Sequence, residues 1–219
     1  MSDKKYTNPA TIALHTGWRK DETTNSVTVP IHMTSSYQFD STDHAANLFA
    51  LGELGNIYSR IMNPTNAVFE DRIAALEGGV AALGLASGQG ASAYAIQNLC
   101  SHGDNFVASS QLYGGTYNQF KNPFSDMGIE VRFVDPSDPQ NFADATDDRT
   151  RAYYGEVLPN PSFQVFPLQE VADIGRPLGI PLIVDNTAAP LMCRPFDLGA
   201  SIIVPAATKA IGGHGPSRG

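Results

Sequence analysis

The sequence predicts an α/β domain built on a mostly parallel β-sheet with helices on both faces. Short apolar runs alternate with helical patterns along most of the chain, and the loops between them are short. Two of the runs, Leu182–Val184 and Ile202–Val204, are continuously hydrophobic, as buried parallel strands are. Strand–helix repeats of this kind place successive strands side by side and cover both faces of the sheet.

The composition is that of a folded protein, since 42% of the 219 residues are hydrophobic and 16% are charged. The formal net charge of -8 argues against non-specific binding to nucleic acid or to an anionic membrane. The two cysteines, Cys100 and Cys193, have no metal-like spacing, so we expect no metal site and a reducing compartment. The start of the chain lacks the apolar core of a signal peptide, and no run is long enough to span a membrane. These features predict a cytoplasmic protein.

Residues 1–55 differ from the rest because they show no strand–helix alternation. They contain polar turn residues, one short extended piece at Val27–Ile31, and a predicted helix from about Thr42 to Leu51, capped by Ser41 or Asp43. Such a segment buries little by itself. We therefore expect an N-terminal arm that packs on a neighbouring subunit, followed by one domain over residues 56–219; a disordered tail is the alternative.

Regular patterns begin at Asn63, which opens a helix that ends at Gly78-Gly79. An apolar strand is predicted at Ala81–Ala86, and a helix at about Ala91–Cys100 follows Ser87-Gly88-Gln89-Gly90. The remaining predicted elements, in order, are strand Asn105–Ser109, a helix after Thr116 interrupted near Pro123, strand Ile129–Val134, a short helix near Phe142, strand Ala152–Leu158 and helix Pro167–Leu178.

One ionisable residue follows each of the last two predicted strands, Asp185 after the first and Lys209 after the second. Ligands of open α/β sheets bind beyond the carboxyl ends of the strands, so we expect both side chains at one crevice. A lysine opposite an aspartate can hold an aldehyde cofactor as a Schiff base while the carboxylate pairs with the cofactor's ring nitrogen. Taken alone, these residues could also be a turn aspartate and a solvated lysine.

Two further segments could bind a phosphate. Ser87-Gly88-Gln89-Gly90 joins a strand to a helix, and the N–H groups of a helix N-terminus form an anion site, although tight turns use glycine too. Thr208 offers a hydroxyl beside the lysine. Tyr58 and Arg60 lie on one side of an extended segment, where a phenol and a guanidinium could reach phosphate oxygens or simply face solvent.

Two residues after predicted strands could contact a flat ring. Tyr113 could stack on it or pack in the core. Asn160, followed by a proline, could donate a hydrogen bond to a ring hydroxyl or form a turn. No glycine fingerprint follows the first predicted strand, which argues against a nicotinamide oxidoreductase.

Six motifs extend over most of the chain: Tyr58-x-Arg60-x-x-Asn63-Pro64-Thr65, Ala86-Ser87-Gly88-Gln89, Leu112-Tyr113-Gly114-Gly115-Thr116-Tyr117, Asn160-Pro161, Val184-Asp185-Asn186-Thr187 and Ala207-Thr208-Lys209-x-Ile211-Gly212-Gly213-His214. In this order they resemble the pyridoxal-phosphate-dependent enzymes of Cys/Met metabolism. Residues 44–58 resemble the O-acetylhomoserine sulfhydrylase branch in particular. The resemblance implies an aspartate-aminotransferase-like (fold type I) cofactor domain.

The resemblance also implies a role for each candidate residue toward pyridoxal 5'-phosphate. Lys209 would bind the cofactor covalently and move protons, Asp185 would keep the ring nitrogen protonated, and Tyr113 would stack on the ring. The remaining implied contacts are the phosphate with Gly88, Gln89 and Thr208, the phosphate with Tyr58 and Arg60 of the adjoining subunit, and the cofactor with Asn160. Such enzymes form homodimers with shared active sites or homotetramers.

The reaction implied is γ-replacement, in which O-acetylhomoserine loses acetate and gains sulfide or methanethiol, giving homocysteine or methionine. A methionine γ-lyase or a cystathionine γ-synthase on the same framework remains an alternative, as does an inactive cofactor-binding or dimerisation module. The sequence does not decide the sulfur donor or the acyl group.

Two departures from the family pattern affect these expectations. Ala206 stands where the family usually has serine, so one phosphate hydrogen bond of about 1.5–3 kcal/mol is lost and we expect weaker cofactor retention. The residues after His214 end at Gly219, whereas family members continue with a further sheet strand and a C-terminal domain that binds the substrate carboxylate. We therefore expect an incomplete cofactor domain, a missing C-terminal domain and little activity from these 219 residues alone.

Overall fold

A computed structural model describes residues 6–219 of the chain. They divide into two compact units, one that ends at Gly84 and one that spans Leu85–Gly219. Residues 6–55 of the predicted arm lie within the first unit, residues 1–5 lie outside the described part of the chain, and the packing of the arm on another subunit stays a prediction.

The described part of the first unit contains the helices α1 (Pro9–His15), α2 (Thr42–Phe49) and α3 (Pro64–Glu77). Ser41 caps α2 by accepting the N–H of His44, which confirms one of the two predicted caps. Asn63 caps α3, and Gly78 ends it in the left-handed region at φ 83°, both as predicted. Val27–Ile31 forms no strand in this part of the chain.

The strand predicted at Ala81–Ala86 is wrong. Residues 81–86 have no regular secondary structure, and none of their side chains is fully buried. A strand needs a partner for its backbone N–H and C=O groups, and within residues 6–219 no sheet ladder reaches this segment. An apolar run alone does not make a strand, because composition does not supply a pairing partner.

The second unit is a parallel five-stranded sheet with the strand order β2-β1-β3-β4-β5. Its strands are β1 (Asn105–Ser109), β2 (Glu130–Val134), β3 (Thr150–Glu156), β4 (Leu182–Asp185) and β5 (Ile202–Ile203). The chain moves outward from β1 to β2 and then returns to place β3, β4 and β5 on the other side of β1. The crevice between β1 and β3 is therefore a topological switch point, where ligands of open α/β sheets bind.

Helices cover both faces of the sheet, as predicted. The helical segments are α4 (Gly88–Leu99), α5 (Gly114–Gln119) continued by a π-helix (Phe120–Phe124), α6 (Gln140–Asp144), α7 (Leu168–Gly175) and the 3₁₀ turns Arg176–Leu178 and Pro195–Leu198. The helix predicted to begin near Ala91 begins at Gly88, because Ser87 acts as its N-cap. This shift places Gly88 and Gln89 in the first helical turn.

Two hydrophobic clusters lie on opposite faces of the sheet, because successive strand residues point in opposite directions. Tyr153 packs with α6 and α7 in one cluster, while Tyr154 packs with α4 and the π-helix in the other. In β1, Val107 belongs to the cluster of Tyr153 and Phe106 to the cluster of Tyr154. All four side chains are fully buried. This double burial explains why the middles of β1 and β3, residues 106–108 and 152–154, are apolar without alternation.

Within residues 6–219 no helix is both long and apolar enough to cross a membrane. The same residues contain no cluster of three or more His, Cys, Asp or Glu side chains placed to hold a metal ion.

Candidate functional site

Asp185 is the last residue of β4, at the edge where the strands end. Its Oδ1 accepts the N–H of Thr187 at 2.8 Å, which orients the carboxylate. Burial raises the pKa of Asp185, although the hydrogen bonds from Thr187 oppose this effect. A carboxylate in this setting favours a positively charged partner, such as a protonated ring nitrogen.

Lys209 lies in the turn that follows β5, and this turn is tied to the end of β4. The Thr187 hydroxyl accepts the N–H of Ala206 at 2.8 Å. The Lys209 N–H in turn donates to the Ala206 carbonyl at 3.1 Å. The lysine side chain is exposed, and its ammonium group has no hydrogen bond or ion pair within residues 6–219. The amine is therefore accessible to a ligand.

The N-terminus of α4 has free donors beside the lysine-bearing turn. Ser87 Oγ accepts the Gly90 N–H at 3.1 Å, whereas the N–H groups of Gly88 and Gln89 have no acceptor within residues 6–219. A Cβ added at Gly88 would lie 2.6 Å from the Cβ of Ala206. Only glycine fits at this position, and the close approach brings the helix N-terminus against the segment that carries Lys209.

Gln89 and Thr208 differ in how their side chains are engaged. Gln89 Nε2 donates to Thr116 Oγ1 at 2.9 Å, so the side chain holds α5 and only the backbone N–H is left for an anion. The hydroxyl and the N–H of Thr208 both donate to the Gly219 carbonyl, at 3.0 and 3.3 Å. The Gly219 N–H donates in return to the Thr208 hydroxyl at 3.1 Å, so both groups of Thr208 are engaged within the second unit.

Tyr113 precedes α5, after β1, with 49% of its side chain exposed. A Cβ on Gly115 would lie 2.5 Å from Tyr113 Cε1, so the ring lies directly across this glycine. The exposure contradicts ordinary core packing and leaves surface for a flat ligand.

Asn160 is exposed in the loop after β3, and its peptide bond to Pro161 is cis. Its backbone N–H donates to Glu156, the last residue of β3. The structure thus places Asn160 at the same end of the sheet as Tyr113 and Asp185.

Tyr58 and Arg60 belong to the first unit, where the structure brings them together. The guanidinium carbon of Arg60 lies 5.7 Å from the centroid of the Tyr58 ring, within the range of a cation–π contact. Both residues are exposed. Their approach to a phosphate of the adjoining subunit stays a prediction.

The predicted site omitted Glu156, which the structure places beside Tyr113, Asn160 and Asp185. Its side chain is 6% exposed, and Glu156 pairs in register with Asp185 of β4. Its Oε1 accepts the Tyr113 N–H at 2.7 Å. Burial, followed by the nearby charge of Asp185, raises the pKa of Glu156 to about 8. The available signal was a charged residue inside the apolar run 152–158.

Glu156→Gln is expected to flatten the pH dependence of stability of the cofactor-free protein. The pKa of Glu156 is about 8 in the folded state, above its ordinary value of 4.5, so the folded state holds this proton more tightly than the unfolded state. Its stabilising contribution is complete below pH 4.5 and is lost as the pH rises to about 8. Thermal midpoints measured across this interval test the effect, with the exposed Glu170→Gln as control. Parallel curves for the parent protein and Glu156→Gln would contradict it.

Residues 10–217 match the model of a protein family, the Cys/Met metabolism PLP-dependent enzymes. The chain belongs to this family. The family match confirms the resemblance and the cofactor inferred for it, since pyridoxal phosphate is the cofactor of the family.

Two named relatives resemble this chain closely. An O-acetyl-L-homoserine sulfhydrylase from Leptospira meyeri is 52% identical over 212 residues, which are 96% of this chain and 48% of that protein. A homocysteine/cysteine synthase from Saccharomyces cerevisiae is 47% identical over 95% of this chain and 48% of its own length. The chain thus spans about half the length of the curated relatives it matches.

A solved family structure confirms the fold class. The putative O-acetylhomoserine (thiol)-lyase from Campylobacter jejuni superimposes with a TM-score of 0.94 at 37% identity, over 97% of this chain and 52% of the other. That protein was solved with a pyridoxyl-lysine monophosphate. The fold is therefore that of the fold type I pyridoxal-phosphate enzymes, over the part of the family that this chain covers.

The residues at the sheet edge fit the family's cofactor. The free N–H groups at the N-terminus of α4, where Gly88 lies against Ala206, suit a phosphate. The carboxyl group of Asp185 suits a protonated ring nitrogen, and the accessible amine of Lys209 suits an aldehyde carbon. By contrast, a groove of about 480 Å³ beside β2, lined in part by Tyr117, Lys121 and Phe133, contains none of the candidate residues.

Proposed function

We propose that the protein that carries this chain is a pyridoxal-phosphate-dependent transferase. In the proposed γ-replacement, O-acetylhomoserine loses acetate and gains sulfide or methanethiol, giving homocysteine or methionine. The observation that carries the proposal is the 52% identity to the Leptospira sulfhydrylase over 96% of this chain. The activity is proposed for the whole protein, because the chain matches 48% of that relative.

The roles proposed for the residues are those that the family resemblance implies, and their placement supports them. Pyridoxal phosphate, when bound, supplies a protonated ring that accepts the electron pair left on the substrate after proton removal. Lys209 holds the cofactor's aldehyde carbon and moves protons to and from the substrate. Asp185 holds the proton on the ring nitrogen, and Tyr113 covers one face of the ring.

The remaining candidate residues are proposed to bind the cofactor. The N–H groups of Gly88 and Gln89 and the hydroxyl of Thr208 hold the phosphate, and Asn160 contacts the ring. Tyr58 and Arg60 reach the phosphate of an adjoining subunit, so the protein is a homodimer with shared sites or a homotetramer. A cytoplasmic location is part of the proposal, supported by the low cysteine content of the chain, two in 219 residues.

Product analysis with the full-length protein tests the reaction. We expect homocysteine from O-acetylhomoserine and sulfide, methionine when methanethiol replaces sulfide, and acetate in equal amount. Methionine alone and O-acetylhomoserine with cysteine are run in parallel. Elimination products from methionine alone would favour a γ-lyase, and cystathionine as the preferred product would favour a cystathionine γ-synthase. Turnover of none of these substrates would contradict the proposal.

Ala206→Ser is expected to tighten the binding of pyridoxal phosphate by about tenfold, which corresponds to one added charge-assisted hydrogen bond. The Cβ of Ala206 lies against Gly88 at the N-terminus of α4, so a hydroxyl there is placed beside the proposed phosphate. The dissociation constant is measured by cofactor titration. Ala210→Ser, on the exposed part of the same turn, is the control. Equal affinities for both variants would place the phosphate elsewhere.

A further inference from the structure

We propose that Glu156 is a positioning residue that fixes Tyr113 and Asn160 relative to Asp185. The inference rests on the proposed function, because the contacts of Tyr113 and Asp185 with pyridoxal phosphate are part of it. Glu156 does not itself need to touch the cofactor. It acts through the two loops whose backbone groups it binds.

The strand order explains why this residue reaches both loops. Strand β3 lies between β1 and β4, so its last residue is adjacent to the loop after β1 and to the end of β4. Tyr113 belongs to the first of these loops, and Asp185 is the register partner of Glu156 in β4. Asn160 lies four residues further along the chain. One side chain at the switch point therefore connects three candidate residues.

The hydrogen bonds give Glu156 a holding role that no side chain of α5 performs. Helix α5 has Tyr113 at its N-cap and no side-chain cap bond of its own. Glu156 Oε1 accepts the Tyr113 N–H at 2.7 Å. The glutamate of a capping box makes the same bond from within the helix, whereas Glu156 makes it from strand β3. The Tyr113 ring packs directly against the Cα of Gly115. Backbone and ring are thus held independently.

The burial of Glu156 makes these hydrogen bonds costly to lose. A carboxyl group at 6% exposure needs hydrogen-bond partners, and here they are the N–H groups of Tyr113 and Asn160. The charge of Asp185 raises the pKa of Glu156, and the charge of Glu156 in turn raises the pKa of the buried Tyr154 hydroxyl. Asp185 is also the register partner of Glu156, so the residue that holds the two loops lies beside the proposed ring-nitrogen contact and feels its charge.

Amide hydrogen exchange in the full-length, cofactor-free protein tests the holding role directly. In Glu156→Ala we expect the amides of Tyr113 and Asn160 to exchange about 10- to 100-fold faster, while those of β1 and β3 stay protected. Glu156→Gln keeps one acceptor oxygen, so one of the two amides is expected to accelerate. Unchanged exchange in both variants, or acceleration spread over β1 and β3, would overturn the inference.

Cofactor affinity links this holding role to the site. We expect the dissociation constant of pyridoxal phosphate to rise about tenfold in Glu156→Gln and to stay unchanged in the exposed control Glu170→Gln. Normal affinity in both Glu156 variants would overturn the positioning role and leave the proposed function standing. A parent protein that binds no pyridoxal phosphate would instead overturn the proposed function.

Discussion

Replacement of Lys209 by alanine is expected to lower turnover of the full-length protein at least about 1,000-fold, since both covalent attachment and proton transfer depend on its amine. The visible absorbance band that borohydride bleaches is expected to disappear. Pyridoxal phosphate is expected to bind still, through its phosphate and ring contacts, and to leave on dialysis. Steady-state rates and absorbance spectra before and after reduction measure these effects.

Lys121→Ala is the matched control for this experiment. Lys121 is an exposed lysine of the π-helix whose ammonium lies 5.9 Å from the Tyr117 ring, in the groove beside β2. Its removal is expected to leave both the rate and the borohydride-sensitive band intact. A Lys209→Ala protein that kept that band would show that another amine holds the cofactor, and the assignment of the site would then be wrong.

Asp185→Asn is expected to reduce turnover by about 100- to 1,000-fold, comparable to the loss of one preorganised electrostatic contact in an active site. The amide keeps the size of the side chain but cannot stabilise a protonated ring nitrogen. Burial raises the pKa of Asp185, so in the cofactor-free protein its proton is lost at higher pH than usual. A bound cationic ring works against this shift and lowers the pKa.

The pH profile separates this role from a structural one. Because the ring prefers the ionised carboxylate, we expect the cofactor affinity of the parent protein to weaken as the pH falls below the raised pKa of Asp185, whereas the affinity of Asp185→Asn does not respond to the titration of this group. The exposed Asp197, 3.4 Å from Arg194, provides the control substitution Asp197→Asn. Turnover of Asp185→Asn within threefold of the parent rate would contradict the assignment.

Local patterns in the sequence were sufficient for the sheet class and for most elements. The predicted caps at Asn63 and Ser41 are confirmed because a cap depends on residues two or three positions apart. The strands β1, β3 and β4 are confirmed because burial on both faces leaves a continuous apolar run. The strand predicted at residues 81–86 does not form, because a strand also requires a neighbouring strand, which its own residues do not specify.

The sequence by itself determined that a lysine and an aspartate follow successive buried strands and that a glycine-rich turn opens a helix, since these are relations between neighbours in the chain. Only the tertiary structure decided that Gly88 lies against Ala206, that the Gln89 side chain is engaged by Thr116, and that Glu156 binds the loop of Tyr113. These contacts join residues between 27 and 118 positions apart, by subtraction of the residue numbers. Such contacts depend on the strand order and on how closely helix and strand approach, and neither is written in any local pattern.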